Sequence, residues 1–351
     1  MELGGVAAEV RERTSAAFTD RDAERILAAI LSSEDIWRVI DLADVPVMAL
    51  CAALEVMGRA GWVEFTESRI RLTDAGRKLV QGLGIAPARE LRCGRCGGRG
   101  LELGPVAKIA ERFKRIVEAR PEAIQEFDQG YVTEESTLYR VAFMWARGDL
   151  VGKELLVLGD DDLVSIAAAL TGAPRRVVVL DIDERILEFV REVAQAEGLC
   201  LEVRHHDLRN PLPAGLLSCF DVFFCDPTES LRGFLAFAGR GISALRAPGC
   251  AGYLGLTRRE ASLLKWQAIQ RELLSCGAAI TDIRDDFHEY VNWPYIETMR
   301  AWDHLPARRV PGRVEPWYRS ALIRIELVEP PKAVSERLEG DIFTDPEAAT
   351  T

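Results

Sequence analysis

The chain has no run of 18 uncharged apolar residues, and its first residues carry neither a basic cluster nor a hydrophobic stretch. A membrane-spanning helix and a secretory leader are therefore not expected, and a cytoplasmic protein is. Excess positive charge is also missing: 44 Lys plus Arg against 55 Asp plus Glu give a net charge of −11. That sign opposes non-specific binding to nucleic acid or an anionic membrane and suits a small cationic substrate. Eight cysteines are scattered along the sequence with only Cys93 and Cys96 close together, which is not the pattern of a disulfide scaffold. Lysine is scarce beside arginine, as in GC-rich genomes and thermophiles. What is present, 351 residues of which 48% are apolar and 28% charged, suffices for one large or two ordinary globular domains.

In the N-terminal third, Ile26, Leu27 and Ile30 fall on one helical face, and Ser33 with Asp35 can cap a short helix holding Ile36, Val39 and Ile40. Asp44 and Pro46 open another helix, with Met48, Leu50, Leu54 and Met57, that ends near Gly58 to Gly61. Trp62 to Phe65 and Arg69 to Thr73 alternate as two strands of a hairpin, followed by a helical segment through Leu79. Three helices and a hairpin make a winged-helix arrangement. Its recognition helix, Val45 to Ala60, is nearly devoid of Lys and Arg, so packing against another domain or subunit is expected ahead of contacts to DNA.

Cys93-Gly94-Arg95-Cys96-Gly97-Gly98-Arg99-Gly100 has the spacing of a zinc knuckle, yet no second pair or nearby His completes four ligands. A reduced remnant, half a zinc site completed across a dimer, and a redox pair all remain open for Cys93 and Cys96. No complete metal site is specified within the chain.

The second half alternates strands and helices. Strands at 153–158, 176–180, 201–204 and 220–225 end at Gly159-Asp160-Asp161-Asp162, Asp181-Ile182-Asp183, His205-His206-Asp207 and Asp226-Pro227; helices follow at 164–170 and 186–196. That alternation predicts a mostly parallel sheet whose ligand crevice lies at the strand carboxyl ends, where the acids stand. Asp181, ending the second strand, is placed to receive ribose hydroxyls. The first loop lacks the GxGxxG series that lets a helix N-terminus approach pyrophosphate, and three carboxylates would repel phosphate. A nucleoside without phosphates, carrying a positive sulfonium, fits this loop better than NAD, FAD or ATP. In sulfonium alkyl transfer the electrophilic carbon is held in line with a neutral amine, and carboxylates can orient a polyamine and accept its proton. So many acids point to a polycationic acceptor.

From Arg92 to Glu229 the chain resembles the branched-chain polyamine synthase family, the N4-bis(aminopropyl)spermidine synthases of thermophilic archaea and bacteria. The matching segments include Arg92-Cys93 through Gly98-Arg99-Gly100, Phe127-Asp128-Gln129-Gly130, Arg147 to Lys153, Leu158 to Leu163, Asp181 to Arg185 and Asp207 to Pro213, with a weaker match through Trp317-Tyr318-Arg319-Ser320. The resemblance implies successive aminopropyl transfer from decarboxylated S-adenosylmethionine, a co-substrate and not a resident cofactor, to the central nitrogen of spermidine, releasing methylthioadenosine. It also implies a homodimer and an activity tied to Gly159-Asp160-Asp161-Asp162, with Asp160 and Asp161 nearer the attacking nitrogen than Asp162. Thr228 stands where relatives often have a second proline, which alters a channel wall while keeping Asp226 and Glu229.

The expected roles follow. Gly159, Asp162, Asp181, Asp183 and Asp207 bind the nucleoside, Asp181 at the ribose diol and Asp207 at the adenine amino group. Asp160, Asp161 and Asp226 act in catalysis. They also bind polyamine together with Glu229, Asp286, Glu289 and Tyr290. Tyr290, Trp293 and Tyr295 either cover the polyamine channel through their ring faces or are core aromatics beneath an ordinary surface loop. Strands are expected at 251–256, 280–290 and 320–327, a helix at 262–274, and beyond Pro330 a polar tail that is free to move or to fold over the site. The fold class is α/β: a winged-helix domain for dimerisation or packing over 1–82, a linker with the cysteine knuckle and helices over 83–145, a Rossmann-like class I methyltransferase-type domain over 146–330, and the tail over 331–351. Rival readings are a methyltransferase using S-adenosylmethionine and a winged-helix regulator that senses a nucleoside or polyamine.

Overall fold

The structure, a computed structural model, describes residues 2–291, 294–312, 315 and 317–351; Trp293 lies outside the described residues. The chain opens with helices α1 (Leu3–Thr14), α2 (Asp20–Ser32), α3 (Ile36–Ala43) and α4 (Val47–Arg59), a hairpin of β1 (Val63–Phe65) and β2 (Ile70–Leu72), and α5 (Asp74–Gly82). Local chemistry sets these boundaries. Thr19 and Asp22 form a reciprocal capping box that starts α2, and Asp35 accepts the Trp37 and Arg38 amides to start α3. Helix α1 was not among the helices expected from the pattern; its small buried residues Val6, Ala7 and Val10 make a weak stripe that shows only once packed against α4.

Then follow α6 (Ala110–Val117), α7 (Glu134–Ala146), β3 (Glu154–Leu158), α8 (Val164–Leu170), β4 (Arg176–Asp181), α9 (Glu184–Glu197), β5 (Leu201–His205), β6 (Val222–Cys225), α10 (Leu231–Ala244), β7 (Ala251–Leu256), α11 (Leu263–Ser275), β8 (Ala278–Glu289) and β9 (Arg319–Leu327). The sheet order is β5-β4-β3-β6-β7-β9-β8. The first five strands are parallel, and β9 and β8 add antiparallel, so the expected parallel sheet is mixed at one edge. Strands β3, β4 and β6 are continuous apolar runs because helices cover both faces. Helix α7, which the sequence division assigned to the linker, shares a core with β3, β4 and α8.

The N-terminal helices form a core of their own that takes in Tyr131, Tyr290, Trp317 and Tyr318. Trp37 donates its indole N–H to the Arg309 carbonyl at 2.8 Å and packs against Trp317, ring centroids 4.7 Å apart. Beneath lies a buried ionic seam. The Arg259 guanidinium contacts Asp41, Asp44 and Asp286, and Arg319 also reaches Asp41. Helix α4 is buried along most of its length, and the Val47 amide that begins it donates to the Arg259 carbonyl. The apolar helix is thus spent on packing within the chain.

Candidate active site

In an open parallel sheet the crevice forms where strand order reverses. Here β3 has β4 on one side and β6 on the other, and above that point lies a cleft of about 930 Å³, counting the space at its open mouth. Gly159, Asp161, Asp162, Asp181, Asp207, Asp226, Glu229 and Tyr290 line it. The structure thus brings together most of the side chains expected from sequence. It adds Asp128, His206, Phe237, Tyr318, Phe343 and Thr350.

The loop after β3 sorts its three acids. Gly159 turns it with φ 71°, and Leu163 is left-handed at φ 56°, so no ordinary cap precedes α8. Asp160 fills that need: its carboxylate accepts the Ser165 amide at 3.1 Å and also the Ser165 hydroxyl, and it does not line the cleft. Burial pushes its carboxyl up to about 8. Asp162 accepts the Val132 amide at 2.8 Å and Arg140 at 2.6 Å. Asp161 takes no side-chain hydrogen bond among the described residues and faces the cleft, its carboxyl raised by burial and by Asp162, Asp181 and Asp226.

At the nucleoside end, Asp181 accepts the amides of Asp160 and Asp183, both at 2.8 Å, and so ties two loops together. Asp183 sits behind it, held by Gln129 and Arg185, and does not line the cleft. Asp207 is paired with Arg209 at 2.8 Å; burial opposes ionisation, and the hydrogen bonds from Arg209 prevail and hold the carboxyl below its usual range. His206 lines the same end with a buried Nε2 that has no partner among the described residues, while burial holds its ring below the ordinary imidazole value.

At the other end, β6 delivers Asp226. Its Oδ2 accepts Arg140 and, at 2.7 Å, the Tyr290 hydroxyl. Its Oδ1 lies against Gly255, where an added Cβ would stand 1.7 Å away, so β7 needs glycine there. Burial raises the Asp226 carboxyl against the pull of Arg140. Glu229 and Asp128 face one another across this end near buried Glu260. Burial with Glu260 beside it pushes Asp128 up to about 8, and Glu229 is raised by the same causes.

The polar tail closes this end. Thr228 and Ser230 donate to the Phe343 and Ile342 carbonyls, Lys265 pairs with Asp345 at 2.8 Å, and Glu347 accepts from Ser262. The Thr350 hydroxyl lies 2.9 Å from both Asp128 and Glu260. Thr228 therefore holds the tail.

Asp286 and Glu289 do not line the cleft: Asp286 meets Arg92 and Arg259, and Glu289 meets Arg92, Arg99 and Arg319. A register shift in β8 between Arg284 and His288 sets which side these residues face. Tyr295 donates to the Gln129 carbonyl and supports the cleft from outside. Cys93 and Cys96 are free thiols, and among the described residues no group of three or more His, Cys, Asp or Glu is arranged to hold a metal ion. The sequence carried a trace of Asp128 in Phe127-Asp128-Gln129-Gly130. Glu260 and Thr350 had none, because only the folded tail brings them together.

Comparison with known proteins gives a consistent picture. The family profile described as Branched-chain polyamine synthase A C-terminal domain matches residues 108–350. The N(4)-bis(aminopropyl)spermidine synthase of Thermus thermophilus is 50% identical, over 96% of each chain. That of Thermococcus kodakarensis is 44% identical, over 97% of this chain and 98% of the relative. The crystal structure of the branched-chain polyamine synthase from Thermus thermophilus, in complex with N4-aminopropylspermidine and 5′-methylthioadenosine, superposes with a TM-score of 0.93 at 50% identity, covering 99% of this chain and 98% of that one.

Proposed function

Because this chain belongs to the branched-chain polyamine synthase family, we propose that it transfers aminopropyl groups from decarboxylated S-adenosylmethionine to N4 of spermidine, giving N4-aminopropylspermidine and then N4-bis(aminopropyl)spermidine. The observation that carries this reading is one cleft with two unlike ends: a nucleoside end without a pyrophosphate loop, and an amine end lined by carboxylates. The two molecules held by the Thermus thermophilus relative are an aminopropylated spermidine and a thioether nucleoside, one for each end.

Asp181 receives the ribose diol, and Asp207 with His206 addresses the adenine. Asp161, Asp128 and Glu229 hold the ammonium groups of the polyamine. The lone pair of N4 attacks the carbon beside the sulfonium; the C–N bond forms, the C–S bond breaks, and its electron pair leaves on sulfur as neutral methylthioadenosine. N4 must be unprotonated to attack. In the first transfer the new ammonium still carries a proton, which Asp226 accepts. The second transfer leaves a quaternary nitrogen with none to lose. Gly159, Asp160, Asp162 and Asp183 shape and hold the loops on which these groups sit.

The reading includes a homodimer in the cytoplasm with no resident cofactor and no nucleic-acid partner. Net charge of −11 and the burial of α4 inside the chain support the last point. Its domains are 1–82, 83–145, 146–330 and 331–351, and the Asp41–Arg259 ion pair joins the first to the third. Mass spectrometry of purified protein with spermidine and either decarboxylated S-adenosylmethionine or S-adenosylmethionine tests the chemistry. Mono- and bis-aminopropylated spermidine with the decarboxylated donor alone is expected; a methylated product, or consumption of neither donor, overturns it.

A further inference from the structure

Behind the amine end lie two buried polar side chains that no step above has used. His288 and Ser320 are 0% and 1% exposed, on the adjoining strands β8 and β9. His288 Nδ1 lies 2.7 Å from the Ser320 Oγ, which is 3.1 Å from the Tyr290 hydroxyl, which donates to Asp226 Oδ2 at 2.7 Å. Four side chains from three strand ends thus form one unbroken hydrogen-bonded file that stops at the carboxylate lining the cleft.

The direction of the file follows from donor arithmetic. A carboxylate only accepts, so the single phenolic proton of Tyr290 goes to Asp226. The Tyr290 oxygen then receives the Ser320 proton, and Ser320 in turn receives a proton from His288 Nδ1. That requires the neutral tautomer with hydrogen on Nδ1 and a bare Nε2. Two features agree. Burial, with Arg140 and Arg99 acting on the ring, holds His288 well below its ordinary value and hence neutral. Among the described residues its Nε2 is buried without a partner, as is the Arg140 Nε, and a bare lone pair is the form of Nε2 that a positive surrounding favours.

We propose that His288 and Ser320 are positioning residues that point the Tyr290 hydroxyl at Asp226, so that Oδ2 is saturated by Tyr290 and Arg140 and the carboxylate is held ionised, ready for the proton from N4. This rests on the aminopropyl-transfer reading. Oδ1 takes no hydrogen bond among the described residues, and Asp226 lines the cleft. His288 itself does not line the cleft, so it acts only through Tyr290. Each donor arriving on Oδ2 favours the ionised carboxylate. The other charged or titratable groups acting on Asp226 are Arg140 from α7, Asp161 and Asp162 from the loop after β3, Glu229 from its own loop, and Cys225 beside it. None of them belongs to the file.

The test is the pH profile of the first transfer, followed by mass spectrometry in wild-type protein and in S320A, H288F and H288N. The acidic limb reports both N4, which must be unprotonated, and the carboxylate that must be ionised; only the second is altered by the variants, so losing the file moves the limb upward. Ser320→Ala and His288→Phe are each expected to raise the limb by about half a pH unit, the size of one weakened hydrogen bond, with KM for spermidine nearly unchanged. The double variant moves no further than either single one. His288→Asn, which keeps a donor at the Nδ1 position, restores the wild-type limb. If S320A, shown to be folded by its circular dichroism, keeps the wild-type limb, the proposal is overturned whatever the state of H288F. Equal shifts in H288N and H288F overturn it too. A wild-type protein that makes no aminopropylated product removes the underlying reading, and the file's role falls with it.

Discussion

The two ends of the cleft use the same residue type in opposite ways. At the nucleoside end the acids have partners within the chain: Asp181 accepts two backbone amides, Asp183 is held by Gln129 and Arg185, and Asp207 is bound to Arg209. At the amine end burial raises the carboxyls of Asp128, Asp161 and Glu229, helped by Glu260 at Asp128 and Glu229 and by Asp162, Asp181 and Asp226 at Asp161. A carboxylate that is satisfied positions a neutral ligand by hydrogen bonding. One left short of positive charge gains most from a ligand that brings it.

The sharpest way to break this contrast is at Asp226, the proton acceptor of the amine end. Asp226→Asn keeps the shape and removes the proton acceptor, and kcat for the first transfer is expected to fall by about 10²- to 10⁴-fold in single-turnover kinetics. At the nucleoside end, Asp181→Ala is expected to weaken methylthioadenosine binding by roughly 10- to 100-fold in calorimetry, the worth of hydrogen bonds to a charged group. At the amine end, Asp128→Asn and Glu229→Gln are each expected to raise KM for spermidine by about tenfold with kcat changed far less, since each removes one of several charges.

The smallest effect sharpens the comparison most. Asp128, with its carboxyl near 8, is largely protonated in the free protein at pH 7, and an arriving ammonium lowers that value. Spermidine binding is therefore expected to release protons and to strengthen as pH rises from 6 toward 8, by roughly a few fold. Calorimetry in buffers of different ionisation enthalpy reads the release directly. Methylthioadenosine, which is neutral and meets acids already partnered, is expected to show little of it.

The strands and their terminal acids were legible because buried parallel strands must be apolar and the crevice must lie at their ends; the Val-rich run before Asp181 states both facts at once. The division of labour within Asp160-Asp161-Asp162 was not legible. It depends on a left-handed Leu163 that leaves α8 to be capped from within, and Asp160 is the residue the turn presents for that task. Asp286 and Glu289 looked like part of the acidic wall because alternation along β8 cannot reveal a register shift. Glu260 escaped notice for another reason: its neighbours Thr350 and Ala349 arrive from 90 and 89 residues away. Helix α1, with mostly small residues in its stripe, became recognisable only against α4.

The buried seam beneath the N-terminal helices sets a timetable for synthesis. Asp41 is translated early, yet its partners Arg259 and Arg319 follow 218 and 278 residues later. Arg38, on the same helix, gives Asp41 one counter-charge at once, but the two arginines that lie over it come only with the sheet, so α3 reaches its final burial after β9 is made. The first helices to emerge are among the last to be sealed, and the strand that seals them, β9, is the one that carries Ser320 up to Tyr290. An unfinished chain therefore has neither a closed seam nor an ordered acceptor, and chemistry begins only when the last strand is in place.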